Sequence, residues 1–223
     1  PAGIEGPTRM LYLKTLRRVL RLAVEPLRLI ERSPLRALPA LKGGRQFWFL
    51  YPDEEAKLLA YQEIPLLYRV LYGFLARNGT RIAETLQLTW DHIDFGRGTI
   101  RLEAAWTKTK RARFWTLEPS VLAALTRWRE QCRSADGDAR VFASRSGGLS
   151  TTSVRDRFHA DLRAAGVERR ELFVRTAREG AIRIHDLRAS FVTLALRAGR
   201  DLKWIMQRSG HESIAVLQRY DRF

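Results

Sequence analysis

Cysteine is almost missing from this chain: Cys132 is the one example in 223 residues. A lone thiol closes no internal disulfide, which excludes a disulfide-framed scaffold and fits a reducing compartment. No run of about 18 uncharged apolar residues occurs, so there is no sequence signal for a membrane-spanning helix. Pro1–Pro7 is short and polar, and arginines interrupt the apolar residues behind it, so no signal-peptide pattern is present either. These absences set the expectation of a cytoplasmic protein. Histidine is scarce and scattered (His92, His159, His185, His211), without a His-x-x-x-His pair, so no zinc site is expected. The Gly-x-x-x-x-Gly-Lys and Gly-x-Gly-x-x-Gly patterns are also missing, which removes the usual support for nucleotide hydrolysis and dinucleotide redox chemistry. Neither metal nor cofactor is expected.

What is present is basic charge and a core. Forty Lys and Arg against 24 Asp and Glu give +16, while a 45% hydrophobic content is enough to bury a core and argues against disorder. The partner should be an anion. Arginine outnumbers lysine 34 to 6, and its planar fork suits phosphate oxygens, although coding bias explains the preference equally well. Double-stranded DNA, or RNA, fits this excess better than a membrane surface, because no amphipathic anchor stands apart from the folded part.

Two domains are expected, 1–46 and 47–223. Apolar residues at Leu13, Leu16, Leu20, Val24, Leu27 and Ile30 predict one amphipathic helix over Thr8–Arg32, kinked or divided at Pro26. Ser33–Gln46, with two prolines and a Gly-Gly pair, reads as a linker. One helix cannot bury its own apolar face, so 1–32 is expected to be the end of a domain lying mostly upstream. These 46 residues carry 10 basic and 3 acidic residues, a net of +7. Beyond Phe47 the pattern is mostly helical. Strands are expected only at Gly98–Ala104 and Arg113–Leu117, joined by the basic tip "AWTKTKRA". Helices follow at Pro119–Arg133, Ser150–Ala165 and in a series from Ile184. The fold class is therefore mainly α with a small antiparallel β-sheet.

Three blocks carry the chemistry. "NGTRIAETLQLTWDHIDF" places Arg81 just after an Asn-Gly break, with Glu84 three residues on. "HDLR" puts His185 and Arg188 on one helix face. "GHESIAVLQRY" sets Gly210 and His211 at an expected helix start and Tyr220 nine residues past His211. Singly, each has a structural explanation: Arg81 could simply pair with Glu84, and histidines more often serve structure. Jointly, in this order and spacing, they resemble the tyrosine recombinases, or phage integrase family, across Tyr51–Tyr220.

The resemblance implies the integrase catalytic-domain fold and assigns Arg81 as first catalytic arginine, Lys108 as hairpin lysine, His185 and Arg188 as the His-x-x-Arg pair, His211 as second histidine and Tyr220 as nucleophile. Glu84 matches an acidic position that buttresses the arginine. Lys110, two places from Lys108, is the alternative lysine, and Lys110, Arg111 and Arg113 are expected to touch backbone phosphates or solvent. Trp90 and Trp106 are expected in the core, and Cys132 as an incidental thiol. The implied activity is site-specific recombination through a 3′-phosphotyrosine, without metal or ATP. The implied assembly is a homotetramer on two DNA sites, built from subunits that can be monomeric without DNA. A type IB topoisomerase, or a silent DNA-binding module of the same fold, is the alternative. Two features depart from the family pattern. Ala189 stands where many relatives carry a further histidine, and only three residues follow Tyr220, which leaves the usual exchange of C-terminal tails in doubt.

Overall fold

A computed structural model describes residues 6–35, 47–107, 110–132, 134–144, 147–174 and 180–220. The chain forms two compact units, Pro1–Gln46 and Phe47–Phe223. In the first, helix α1 spans Gly6–Val24 and leaves Leu11, Tyr12, Leu16, Val19 and Leu22 exposed. The expected helix to Arg32 thus stops eight residues early. Proline at 26 has no N–H to donate and disfavours helical backbone at Glu25, so the chain turns there; Leu27 N–H reaches back to Leu22 O and Leu29 N–H to Ala23 O.

The second unit is helical around two small sheets. Helices α2 (Pro52–Ala60), α3 (Leu66–Asn78) and the one-turn α4 (Ile82–Thr85) come first. Strands β1 (Ile93–Asp94), β2 (Thr99–Leu102) and β3 (Arg113–Thr116) then form an antiparallel sheet in that order, with Ile100 opposite Trp115 and Leu102 opposite Arg113. Helix α5 (Pro119–Gln131) leads to the two-residue strands β4 (Ala143–Ser144) and β5 (Gly147–Gly148), paired with each other. Helices α6 (Thr151–Ala164), α7 (Asp186–Arg197), α8 (Leu202–Ser209) and α9 (Ile214–Leu217) complete the series, and Tyr220 ends a 3₁₀ turn. The mainly α class with a small antiparallel sheet is what the structure has. β1, β4 and β5 escaped the sequence because two residues are too few to show an alternation. Among the described residues no helix is long and apolar enough to cross a membrane.

Helix α3 is the hub, packed on α2, α5 and α7. Leu71, Phe74 and Leu75 from it meet Leu58, Leu102, Phe142 and Phe158 in the main core; full burial of such side chains is worth about 1.5–3 kcal/mol each. Trp90 lies in this core as expected, and Trp106 packs at its edge against the His92 ring, 4.6 Å away. A second, smaller cluster joins Phe191, Val192, Ile205, Leu217 and Tyr220.

The end of α3 fixes where the site begins. Asn78 is buried and accepts from Trp115 Nε1 at 2.9 Å, which ties α3 to β3. Gly79 then closes the helix with φ +62°, its N–H on Leu75 O. This left-handed turn redirects the chain so that Arg81 starts α4. A Cβ at Gly79 would also stand 2.2 Å from the Phe191 ring. Gly79→Ala is therefore expected to cost about 2–4 kcal/mol, from φ strain plus overpacking. Urea unfolding checks this; a loss below half a kilocalorie per mole would refute it.

Candidate active site

Arg81 occupies the N-cap of α4 and Glu84 its first turn. Three residues apart on one turn, they pair directly: Arg81 Nη1 lies 2.7 Å from Glu84 Oε1, and Arg81 N–H points at Oε2, 3.3 Å away. Glu84 is buried, whereas the Arg81 side chain stays 27% exposed, so the guanidinium faces outward from a buried anchor. The other carboxylate oxygen, Oε2, receives Arg113 Nη2 from the head of β3.

Arg113 corrects an expectation. Placed in the most basic stretch of the chain, it was expected to meet phosphate or solvent, yet it is buried, paired with Glu84 and donating Nη1 to Arg208 O. The strand alternation decides this: Arg113 and Trp115 point inward, while Phe114 and Thr116 point out. Lys110 and Arg111 are exposed at the hairpin tip; Lys108 lies outside the described residues.

Arg188, in the first turns of α7, is 3% exposed. Its Nη1 donates to Gly79 O at 2.8 Å and to Ser209 O, and its Nη2 donates to His211 Nε2 at 2.9 Å. Gly79 and Ser209 stand at the C-terminal ends of α3 and α8, where carbonyls lack helical partners and carry the negative end of the helix dipole. Burial first, and then Arg81, pull its pKa down to about 10, so Arg188 is still a cation at neutral pH.

His211 does not begin a helix, contrary to the expectation from the sequence. It follows the left-handed C-cap Gly210 (φ +67°) of α8, two residues before the N-cap Ser213 of α9. Its tautomer follows from its neighbours. A guanidinium can only donate, so Nε2 accepts from Arg188; Nδ1 then carries the proton toward Ser209 Oγ, 2.8 Å away, which donates in turn to Ile205 O. Burial, Arg188 and Arg81 push the His211 pKa down to about 3. His185, half-buried at the N-cap of α7, is also pulled below the ordinary histidine range, first by burial and then by Arg188. Both imidazoles are therefore neutral at pH 7.

Tyr220 is 6% exposed, its ring between Phe47 (5.0 Å, nearly parallel) and His211 (5.5 Å, tilted). Arg219 lies over the Phe47 ring, 5.5 Å from its centre. Arg81, Glu84, Arg113 and Tyr220 all act electrostatically on Arg188, so the three sequence blocks converge on one place. Sequence reading missed Phe47 and Ser209; an isolated phenylalanine and serine give no periodic or motif signal. Among the described residues no three His, Cys, Asp or Glu side chains group as metal ligands would.

A mainly helical domain with a small antiparallel sheet is a fold shared with solved integrase structures. The Tn1549 transposon integrase, solved in complex with a circular intermediate DNA, superposes with a TM-score of 0.81 at 18% identity, over 99% of this chain and 76% of that one. The lambda integrase tetramer bound to a Holliday junction gives 0.69 at 21% identity, over 90% and 57%. At such identities these likenesses concern the fold alone. The sequence model described as the phage integrase family matches residues 48–223, and the chain belongs to that family. Tyrosine recombinase XerC of Xanthomonas axonopodis pv. citri (strain 306) is 28% identical over 197 residues, 86% of this chain and 59% of the relative. The chain spans 54–62% of the length of the curated relatives it matches.

The neutral His211 makes a testable statement about pH. Its folded pKa of about 3 lies below the ordinary 6.5, so the unfolded chain takes up a proton that the folded one refuses. That contribution to stability is complete above pH 6.5 and is lost as pH falls toward 3, at no more than about 1.4 kcal/mol per pH unit. Ring proton shifts of His211 followed by NMR from about pH 7 to about pH 5 should stay constant. A midpoint near 6.5 would show that burial and Arg188 do not hold the ring neutral.

Proposed function

We propose that the chain is the catalytic part of a site-specific DNA recombinase that breaks and rejoins strands through a 3′-phosphotyrosine on Tyr220. The observation that carries this reading is the Arg81, Arg188, His211 and Tyr220 cluster, with both guanidiniums held on buried anchors and the tyrosine ring against His211, which accepts from Arg188.

A phosphodiester is an anion, and attack by oxygen concentrates further negative charge on five-coordinate phosphorus. Arg81 and Arg188, whose hydrogen-bond partners hold them in place beforehand, offset that charge at the non-bridging oxygens. Tyr220 Oη forms the new O–P bond as the bond to the 5′-oxygen breaks. The phenol loses its proton to the neutral imidazole of His185, because His211 Nε2 already accepts from Arg188 and its Nδ1 carries the proton, and the departing 5′-oxygen takes one from the hairpin lysine, Lys108. The phosphotyrosine conserves the phosphodiester bond, so a second 5′-hydroxyl can reverse the step without ATP. Arginines do the work a metal would otherwise do, and no cofactor is needed.

Exchange between two sites is favoured over relaxation of one duplex because the relatives are named recombinases and integrases. The lambda integrase tetramer on a Holliday junction supports a homotetramer working on two double-stranded DNA sites. Residues 1–46, with their net +7, are read as the last helix and linker of a core-binding domain that grips DNA backbone, and the protein as acting in the cytoplasm.

The test uses nicked duplexes of random sequence, in which the released strand end diffuses away and traps the covalent adduct. Wild-type protein should give a denaturant-stable complex, and Tyr220→Phe should bind equally but give none. An adduct of normal yield in Tyr220→Phe would remove Tyr220 from its role.

A further inference from the structure

Arg113 was the buried cation that the reaction scheme left unused. The Glu84 carboxylate has two oxygens and serves two arginines: Oε1 holds Arg81 at 2.7 Å and Oε2 holds Arg113. Arg208 O and Ser209 O, consecutive carbonyls at the end of α8, are divided the same way, the first taking Arg113 and the second Arg188. Along the edge of β3 the two elements are fastened again, with Gln207 Nε2 on Phe114 O and Arg208 Nη2 on Thr116 O at 2.7 Å. Gly210, directly before His211, lies so close that an added Cβ would stand 2.7 Å from Arg113 Nη1.

We propose that Arg113 is a positioning residue that joins strand β3 of the basic hairpin to Arg81 through Glu84 and to the His211 turn through Arg208 O. A shift of β3 on DNA then moves the first arginine and the second histidine together. This rests on the reading of Arg81, His211 and Tyr220 as the reacting cluster. Only an arginine fits the position: two separate nitrogens must reach a carboxylate and a carbonyl at once, which one ammonium cannot do in the same geometry. The fit is incomplete, since Arg113 Nε–H is buried without a partner among the described residues.

The experiment compares wild type, Arg113→Lys and Arg113→Gln. Without DNA, the Arg81 Nε–H and His211 ring signals should shift in both variants, while the remote Trp128 Nε1–H, bonded to Val141 O, keeps its position. On the nicked random duplexes, binding should be nearly unchanged and single-turnover adduct formation should fall about 100-fold in Arg113→Gln, the scale of a misplaced catalytic group. That deficit should shrink on duplexes carrying methylphosphonate, whose uncharged phosphorus centre no longer needs Arg81. A lower melting temperature with unmoved Arg81 and His211 signals would overturn the proposal, as would an equal deficit on both substrates. If wild-type protein forms no adduct on Tyr220, the function reading fails separately, and the signals of Arg81 and His211 still decide the coupling.

Discussion

The guanidinium of Arg188 is held inside the protein, and the site depends on how it is held there. A buried cation without partners would be far too costly, and its partners are carbonyls that helices cannot satisfy themselves: Gly79 O at the end of α3 and Ser209 O at the end of α8. These two contacts bring together segments 130 residues apart in sequence. Once they are made, His211 Nε2 has a donor beside it, its tautomer is fixed, and Tyr220 stands next to a ring that stays neutral.

Two glycines make this possible for reasons of space as well as φ. Gly79 turns the chain under Phe191, and Gly210 turns it under Arg113; a side chain at either would displace the group it supports. Glu84 then balances the charge. It lies between Arg81 and Arg113, so the locality keeps an excess of positive charge while both guanidiniums have an acceptor. Breaking one member of such a group leaves its partner buried and uncompensated, which is commonly worth about 3–5 kcal/mol.

Much of this was legible in the sequence because it is local. Helices α2, α3, α5 and α6 follow from apolar spacing and from Pro or Gly at their ends, and the Arg81–Glu84 pair from their separation of three. The family resemblance brought His185, Arg188, His211 and Tyr220 to one site, where spacing alone could not. The failures were tertiary or too short to read. Arg113 looked like a surface cation because its neighbours are basic, and only the pleat of β3 together with the position of Glu84 takes it inward. His211 looked like a helix start because Gly210 resembles a break before a helix, whereas it is the left-handed end of α8. Phe47 carries no pattern at all, yet its ring covers one face of Tyr220.

The central claim is that Tyr220 Oη becomes bonded to the 3′ side of a cut DNA strand. Mass spectrometry of the trapped adduct, after protease and nuclease digestion, tests it directly. One modified peptide is expected, with Tyr220 carrying a nucleotide through its 3′-phosphate. A nucleotide on any other residue, or one joined through its 5′-phosphate, would contradict it.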